Sequence, residues 1–237
     1  MNPVLIVKNC TREGPGIIEV LLKKFLIPIE IVDLEREEIF PPPKDFSALI
    51  VLGGPDSAND NNKKTQNALT RIQEALFSQI PYFGICLGLQ LLVKAGGGAV
   101  VKNPVKEIGF RDPEKIFFEV NLTPQGKTDP LCEGLEISFN IFQLHGETVR
   151  LTRQMTLIGT GKYCQNQIVK AGPLAYGIQG HLELTEELFE LWRKEDPDLA
   201  GLSQPDLEND YRFLQNELFR TGSKLFTNFL SLAGLTK

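Results

Sequence analysis

Cys86 stands in Gly84-Ile85-Cys86-Leu87-Gly88, where an apolar run from Tyr82 to Ile85 gives way to a helical pattern from Leu89 to Ala95. This is the spacing a nucleophile elbow requires. The nucleophile occupies a strained strand-to-helix turn, and glycines two residues to either side remove side chains that would collide with the neighbouring strand and helix. A sulfur at that position also meets the positive end of the helix macrodipole and unpaired amide donors, which favour negative charge on it. The chemistry on offer is attack on a carbonyl carbon. The same pentapeptide also suits a small buried hydrophobe at the entry to a helix, so the decision rests on partners.

The chain has two histidines, and one lies in Gly177-Ile178-Gln179-Gly180-His181-Leu182-Glu183, just beyond the apolar run Leu174 to Ile178. Residues two apart in extended backbone point to the same side, so Glu183 can fix the tautomer of His181 while the imidazole faces the thiol. A solvated surface His-Glu pair is the competing reading; its joint occurrence with the elbow cysteine favours a triad of Cys86, His181 and Glu183. Donors for a developing oxyanion are available at the amide of Leu87, directly after the nucleophile, and at that of Gly54 in Gly53-Gly54-Pro55. The Gly-Gly-Pro tripeptide is also an ordinary tight turn.

These groups lie at the ends of apolar runs, so a parallel sheet is needed to bring them together. Val4 to Val7, Ile29 to Val32 (interrupted by Glu30), Ala48 to Leu52 and Tyr82 to Ile85 are apolar segments without regular polar alternation. Helical patterns fall between them, at Gly16 to Phe25 and through Ala68, Ile72, Ala75 and Leu76. Strands of that kind are buried on both faces, which implies a doubly wound α/β arrangement whose strand-end loops share one crevice. From Ala99 to Gln179 the texture changes to short β-branched and aromatic segments, such as Lys115 to Val120 and Ile137 to Phe142, expected as mixed or antiparallel strands. Tyr211, Leu214, Leu218, Leu225, Phe229 and Leu232 recur at near-helical spacing and predict a terminal helical extension over about 206–234. One domain is expected for the 237 residues.

A net charge of -5 with no Lys/Arg-dense segment argues against a nucleic-acid partner and leaves small molecules as the expected substrates. No apolar run is long enough to span a bilayer, and the N-terminal run is too short for a signal peptide, so no membrane association and a cytoplasmic location are expected. The four cysteines are far apart, without C-x-x-C pairs, and no paired ligand spacing occurs among histidines and carboxylates. No metal, no cofactor and no disulfide framework are expected.

Gly53-Gly54-Pro55, Gly84-Ile85-Cys86-Leu87-Gly88-Leu89-Gln90 and His181-Leu182-Glu183, in this order, resemble the class I glutamine amidotransferases. Lys106-Glu107-Ile108-Gly109-Phe110 and Phe142-Gln143-Leu144-His145-Gly146-Glu147-Thr148 are similar to free-standing relatives of the amidotransferase domain of GMP synthetase. The resemblance implies a flavodoxin-like three-layer sandwich with a mostly parallel central sheet. It further implies attack of Cys86 on a γ-glutamyl amide, release of ammonia or an amine, and hydrolysis of the thioester by water activated by His181. It assigns the γ-glutamyl moiety to Gln90 and the backbone around Leu144, His145 and Gly146. His145 also has a structural reading within its own turn, and Glu107 one as the organiser of a loop.

The family usually carries an aromatic before the histidine and a proline after it, where this chain has Gly180 and Leu182. Looser packing behind the imidazole is therefore expected, and Gly180→Phe should raise the rate on glutamine or leave it unchanged. The functional expectation is hydrolysis of a γ-glutamyl amide in glutamine, a γ-glutamyl peptide or a γ-glutamylamine. The alternatives are an ammonia-supplying subunit of a separate synthetase, a silent binding or regulatory protein on the same fold, and a redox sensor built on the elbow cysteine. No G-x-x-x-x-G-K-[ST] nucleotide loop occurs in the chain, so an acceptor domain would be a separate partner.

Overall fold

The computed structural model describes residues 2–236. Its first half runs β1 (Val4–Lys8), α1 (Ile17–Lys24), β2 (Ile29–Asp33), β3 (Ala48–Val51), α2 (Lys63–Phe77), β4 (Tyr82–Ile85) and α3 (Leu87–Ala95). There follow β5 (Ala99–Gly109), β6 (Glu119–Leu122), β7 (Ser138–Asn140), β8 (Gln143–Arg150), β9 (Thr156–Thr160), β10 (Ile168–Gly172) and β11 (Ala175–Ile178). The chain closes with α4 (Glu186–Glu195), α5 (Pro197–Ala200) and α6 (Gln204–Leu232).

One nine-stranded sheet has the order β2-β1-β3-β4-β11-β10-β9-β6-β7. The first five are parallel neighbours and the remaining pairings are antiparallel. The parallel part has the flavodoxin-like order, with its fifth place taken by β11. The apolar runs explain why. Val4 and Ile6 of β1 pack into one buried cluster, whereas Leu5 and Val7 pack into the other. Ile50 and Val51 of β3 divide the same way, so Val4 to Val7 and Ala48 to Val51 are apolar on both faces.

Helices α1, α4 and α6 cover one face of the sheet, and α2 and α3 the other. On α2, Thr65, Ala68, Ile72 and Ala75 form the buried stripe, and the Asn62 side chain caps the helix by accepting from Thr65 N–H at 2.8 Å. Helix α3 is buried from Leu87 to Val93 because it is enclosed by the sheet and by the antiparallel ribbon β5-β8. Helix α6 docks edge-on aromatics against β4, with Phe226 and Phe229 ring centroids 5.3 and 5.2 Å from Phe83. Among the described residues, no helix is long and apolar enough to cross a membrane.

Two expected strands are shorter than their β-branched composition suggests. Lys115 adopts φ 64° in a turn in which the Asp112 carboxylate accepts from Glu114 and Ile116 N–H, so pairing in the sheet begins only at Glu119. The run to Phe142 breaks after Asn140, where the chain leaves the sheet to start the ribbon. Helices α4 and α5 were not among the expected elements.

Candidate active site

Cys86 takes φ 50°, ψ -107°, a left-handed conformation unfavourable for any side chain. The turn is as tight as the two glycines suggested. A Cβ on Gly84 would lie 2.4 Å from the carbonyl of Gly88, and one on Gly88 would lie 2.0 Å from the carbonyl of Val51. Cys86 N–H donates to Ile178 O at 2.8 Å, which ties the elbow to the neighbouring strand β11. That strand leads directly to His181.

His181 Nδ1 and Glu183 Oε1 are 2.6 Å apart, and both side chains are buried. The segment carrying them is held from three sides. His181 N–H donates to Phe142 O at 2.8 Å, and Ile17 N–H, at the start of α1, donates to Glu183 O at 2.8 Å. On the third side, α6 approaches so closely that a Cβ on Gly222 would lie 2.1 Å from Leu182 O. The imidazole is not loosely packed, contrary to the expectation drawn from Gly180 and Leu182. The Trp192 ring lies edge-on with its centroid 4.9 Å from that of His181, and Phe142 at 6.2 Å. The space behind Gly180 is filled, because a Cβ there would lie 2.6 Å from Gln143 Oε1 and 2.7 Å from Ile141 Cδ1. An aromatic at 180 therefore cannot be accommodated without repacking, which overturns the expectation that Gly180→Phe would be harmless.

Burial works against a charged imidazole, but the Glu183 carboxylate and the Cys86 side chain outweigh it and raise the His181 pKa well above the ordinary histidine value. The other cysteines are poor nucleophiles. Burial pushes the Cys132 and Cys164 thiols up to about 12 and also raises Cys10.

A cavity of about 320 Å³ opens over the elbow, lined by Cys86, His181, Gly54, Gln90 and the Leu144-His145-Gly146 stretch of β8. Leu144 O is 3.8 Å from Cys86 Sγ, so the ribbon forms the wall opposite the nucleophile. Gln90 lines the cavity while its amide donates to Glu147 O at 3.2 Å. Leu87 contributes no side chain to the lining, since it packs into the core; its N–H is the first of α3 and lacks an intrahelical acceptor by geometry. His145 is engaged within the ribbon, with Nε2 2.8 Å from Glu107 Oε2 and Nδ1 2.9 Å from Glu147 O. Glu107 and His145 face each other across β5 and β8, so the pair clamps the strands that present the cavity wall. Glu107, His145 and Cys164 bring three metal-type ligand atoms within 4.8 Å of one another. Glu107 and His145 approach each other as an ion pair, and Cys164 Sγ lies 3.2 Å from Thr148 Oγ1.

Two residues of the site escaped sequence reasoning. Gln179 Nε2 donates to Cys86 Sγ at 3.6 Å from the same strand end as His181. Glu13, in the loop from β1 to α1, lines the cavity and is 4% exposed. The signal for it was a charged residue just past the first strand, in Arg12-Glu13-Gly14-Pro15-Gly16, at a sheet edge where loops converge.

Burial is the main cause that pushes the Glu13 pKa from 4.5 up to about 7, with Glu183 and Asp196 adding to it and His181 and Arg12 opposing it. Because the folded-state value is the higher one, the native state binds this proton more tightly than the unfolded chain does. The stability it confers is present below pH 4.5 and is lost as pH rises to about 7. That interval corresponds to about 3 kcal/mol. Glu13→Gln is thus expected to be more stable than the wild type at pH 8 and to lack this decline, which denaturant titrations of both proteins at pH 5 and pH 8 would check.

A sequence profile described as glutamine amidotransferase class-I matches residues 17–191. The glutamine amidotransferase-like protein YfeJ of Salmonella typhimurium is 33% identical over 159 residues, which cover 65% of this chain and 64% of that protein. A glutamine-hydrolysing GMP synthase of Thermosipho melanesiensis is 30% identical over 69% of this chain but only 28% of its own length. The chain thus spans less than two thirds of these two curated relatives. A glutamine-hydrolysing GMP synthase subunit of Sulfurisphaera tokodaii is 28% identical over 80% of this chain and 88% of its own length. Among solved structures, a glutamine amidotransferase of Methylobacillus flagellatus superposes with a TM-score of 0.82 at 26% identity, covering 98% of this chain and 95% of that one. The central sheet and its covering helices match that fold. With the profile spanning residues 17–191 of 237, the chain belongs to the class I glutamine amidotransferase family.

Proposed function

We propose that this protein hydrolyses a γ-glutamyl amide through a γ-glutamyl thioester on Cys86. The observation that carries the reading is the strained elbow cysteine, set at a cavity beside a buried His181-Glu183 pair 2.6 Å apart. Cys86 sulfur attacks the amide carbon while the carbonyl oxygen takes hydrogen bonds from the N–H groups of Gly54 and Leu87. His181 passes its proton to the nitrogen, the C–N bond breaks, and ammonia or an amine departs. Water then gives a proton to His181 and attacks the thioester, releasing a γ-carboxylate and restoring the thiolate. Glu183 holds the imidazole in the orientation that both halves require. Gln90 and the backbone of Leu144, His145 and Gly146 face the same cavity and are assigned to the γ-glutamyl moiety.

The test is release of ammonia from glutamine, and of amine or peptide from γ-glutamylamines and γ-glutamyl peptides, by the purified protein with Cys86→Ala as control. Cysteine-dependent release is the expected result, and the preferred leaving group identifies the substrate. A second reading, ammonia supply to a separate synthetase, is favoured by the extent of the match to the GMP synthase subunit of Sulfurisphaera tokodaii. Turnover of glutamine alone among these substrates would support it. Absence of turnover on every substrate would sink the free-standing hydrolase and leave a subunit that awaits its synthetase or a protein that has kept the fold and lost the reaction.

A further inference from the structure

Three side chains from three separate segments converge over Gly53. From the point where a Cβ on that glycine would lie, His181 Cε1 is 3.2 Å away, Glu13 Oε2 3.4 Å and Cys86 Cβ 3.5 Å. Two of these belong to the proposed triad. Glu13 has no role in that relay, because His181 Nδ1 is already taken by Glu183 at 2.6 Å. Its cationic neighbours, the His181 imidazolium and Arg12, offset its burial only in part, since its pKa still rises to about 7. Arg12 keeps its Nε 4.0 Å from Glu13 Oε1 and directs a terminal nitrogen to Asp196 Oδ2 at 2.6 Å. A carboxylate so buried, with Glu183 and Asp196 nearby, works against the fold whenever it is charged. What would compensate it is a donor brought in by the ligand.

The position of Glu13 says which donor. The carbonyl oxygen of a substrate attacked by Cys86 is directed toward the amides of Gly54 and Leu87, and its nitrogen toward His181. Glu13 Oε2 and His181 Cε1 lie 3.4 and 3.2 Å from the same point over Gly53, so a nitrogen that takes the His181 proton comes within reach of the Glu13 carboxylate, and the amide nitrogen is the only hydrogen-bond donor at the scissile bond. Resting on the hydrolase reading above, we propose that Glu13 is the residue that binds the leaving nitrogen and selects substrates whose leaving group carries N–H. As the S–C bond forms, the C=O electron pair moves onto oxygen and His181 passes its proton to the nitrogen, which becomes cationic. Glu13 accepts a hydrogen bond from that nitrogen and faces its charge. The oxyanion pair then restores the C=O bond, the C–N pair leaves with a neutral amine, and the thioester remains. Glu13 takes no proton in the step. Because the charge on nitrogen exists only after proton transfer, the contact acts on the barrier more than on ground-state binding.

The test compares glutamine with the γ-methyl ester of glutamic acid, whose leaving oxygen has neither N–H nor an equivalent charge. The quantity read is the ratio of kcat/KM for amide over ester in the wild type, Glu13→Gln and Glu13→Leu. The ratio is expected to fall about tenfold in Glu13→Gln and further in Glu13→Leu, the range of a hydrogen bond to a charged partner. A loss shared equally by both substrates would mean that Glu13 only supports the fold, and would overturn the assignment while leaving the hydrolase intact. Ester and amide both untouched by wild-type protein, with Cys86→Ala as the blank, would overturn the hydrolase reading and this one with it. Thermal melts of both variants separate loss of selectivity from loss of structure.

Discussion

Cys86→Ala is expected to lower turnover of the preferred γ-glutamyl substrate by about 10⁴-fold or more, to the level of the blank, because Cys86 alone combines the elbow turn, the start of α3 and the His181-Glu183 pair that a thioester route needs. Gln179, Gln90 and the backbone amides can bind and polarise a carbonyl, but none is a nucleophile. The other three cysteines lie outside the cavity lining and are buried thiols. The fold should survive. The substitution removes one sulfur from a largely buried position and leaves the left-handed backbone at φ 50° as it was, so the cost is about 1 kcal/mol. The check is turnover alongside a thermal melt: wild-type rates in a folded variant would exclude the thioester, whereas an unfolded variant would call for Cys86→Ser instead.

The second large effect is expected in stability. Gly180→Phe places a Cβ 2.6 Å from Gln143 Oε1 and 2.7 and 2.8 Å from the Cδ1 and Cγ1 of Ile141 before any ring is added. Ile141 is fully buried and Gln143 is 1% exposed, so neither can swing into solvent. Overpacking of this kind costs about 3 kcal/mol, which for a chain of this size lowers Tm by roughly 10 °C. Activity should fall with it, since the bond from His181 N–H to Phe142 O runs along the same strand contact. An unchanged Tm with a faster rate would show that the wall behind Gly180 yields. The aromatic support that the local sequence lacks comes instead from Trp192, eleven positions further along the chain than His181.

That substitution of one aromatic by another shows where sequence reading stops. The inner parallel strands were legible because each is buried on both faces and so reads as an unbroken apolar run, as in Val4-Leu5-Ile6-Val7, whereas the edge strand β2 exposes Glu30 and Ile31. The elbow was legible because Gly84 and Gly88 stand two residues to either side of Cys86, although the contact that requires Gly88 is with the distant Val51 carbonyl. The pairing of His181 with Glu183 depends on a two-residue offset and was equally local. Helix α4 also had its signals in view, with Thr185 capping Leu188 N–H, Glu186 and Glu187 in the first turn, and Arg193 and Lys194 in the last.

Local chemistry alone could not place Glu13. A carboxylate in a Gly-Pro-rich loop reads as solvated, and only the convergence of β1, β3, β4 and β11 at their carboxyl ends turns it into a buried group facing His181 and Cys86. The same holds for Gly222, an unremarked helix residue until α6 is laid against Leu182 O, and for Gly180, whose vacancy is filled by Ile141 and Gln143 from another strand connection. Residue type and short spacing settle which groups are able to react. Which of them meet, how deeply they are buried and what charge they hold there depend on contacts between distant segments, because desolvation and close packing are properties of the assembled layers and of no single stretch of chain.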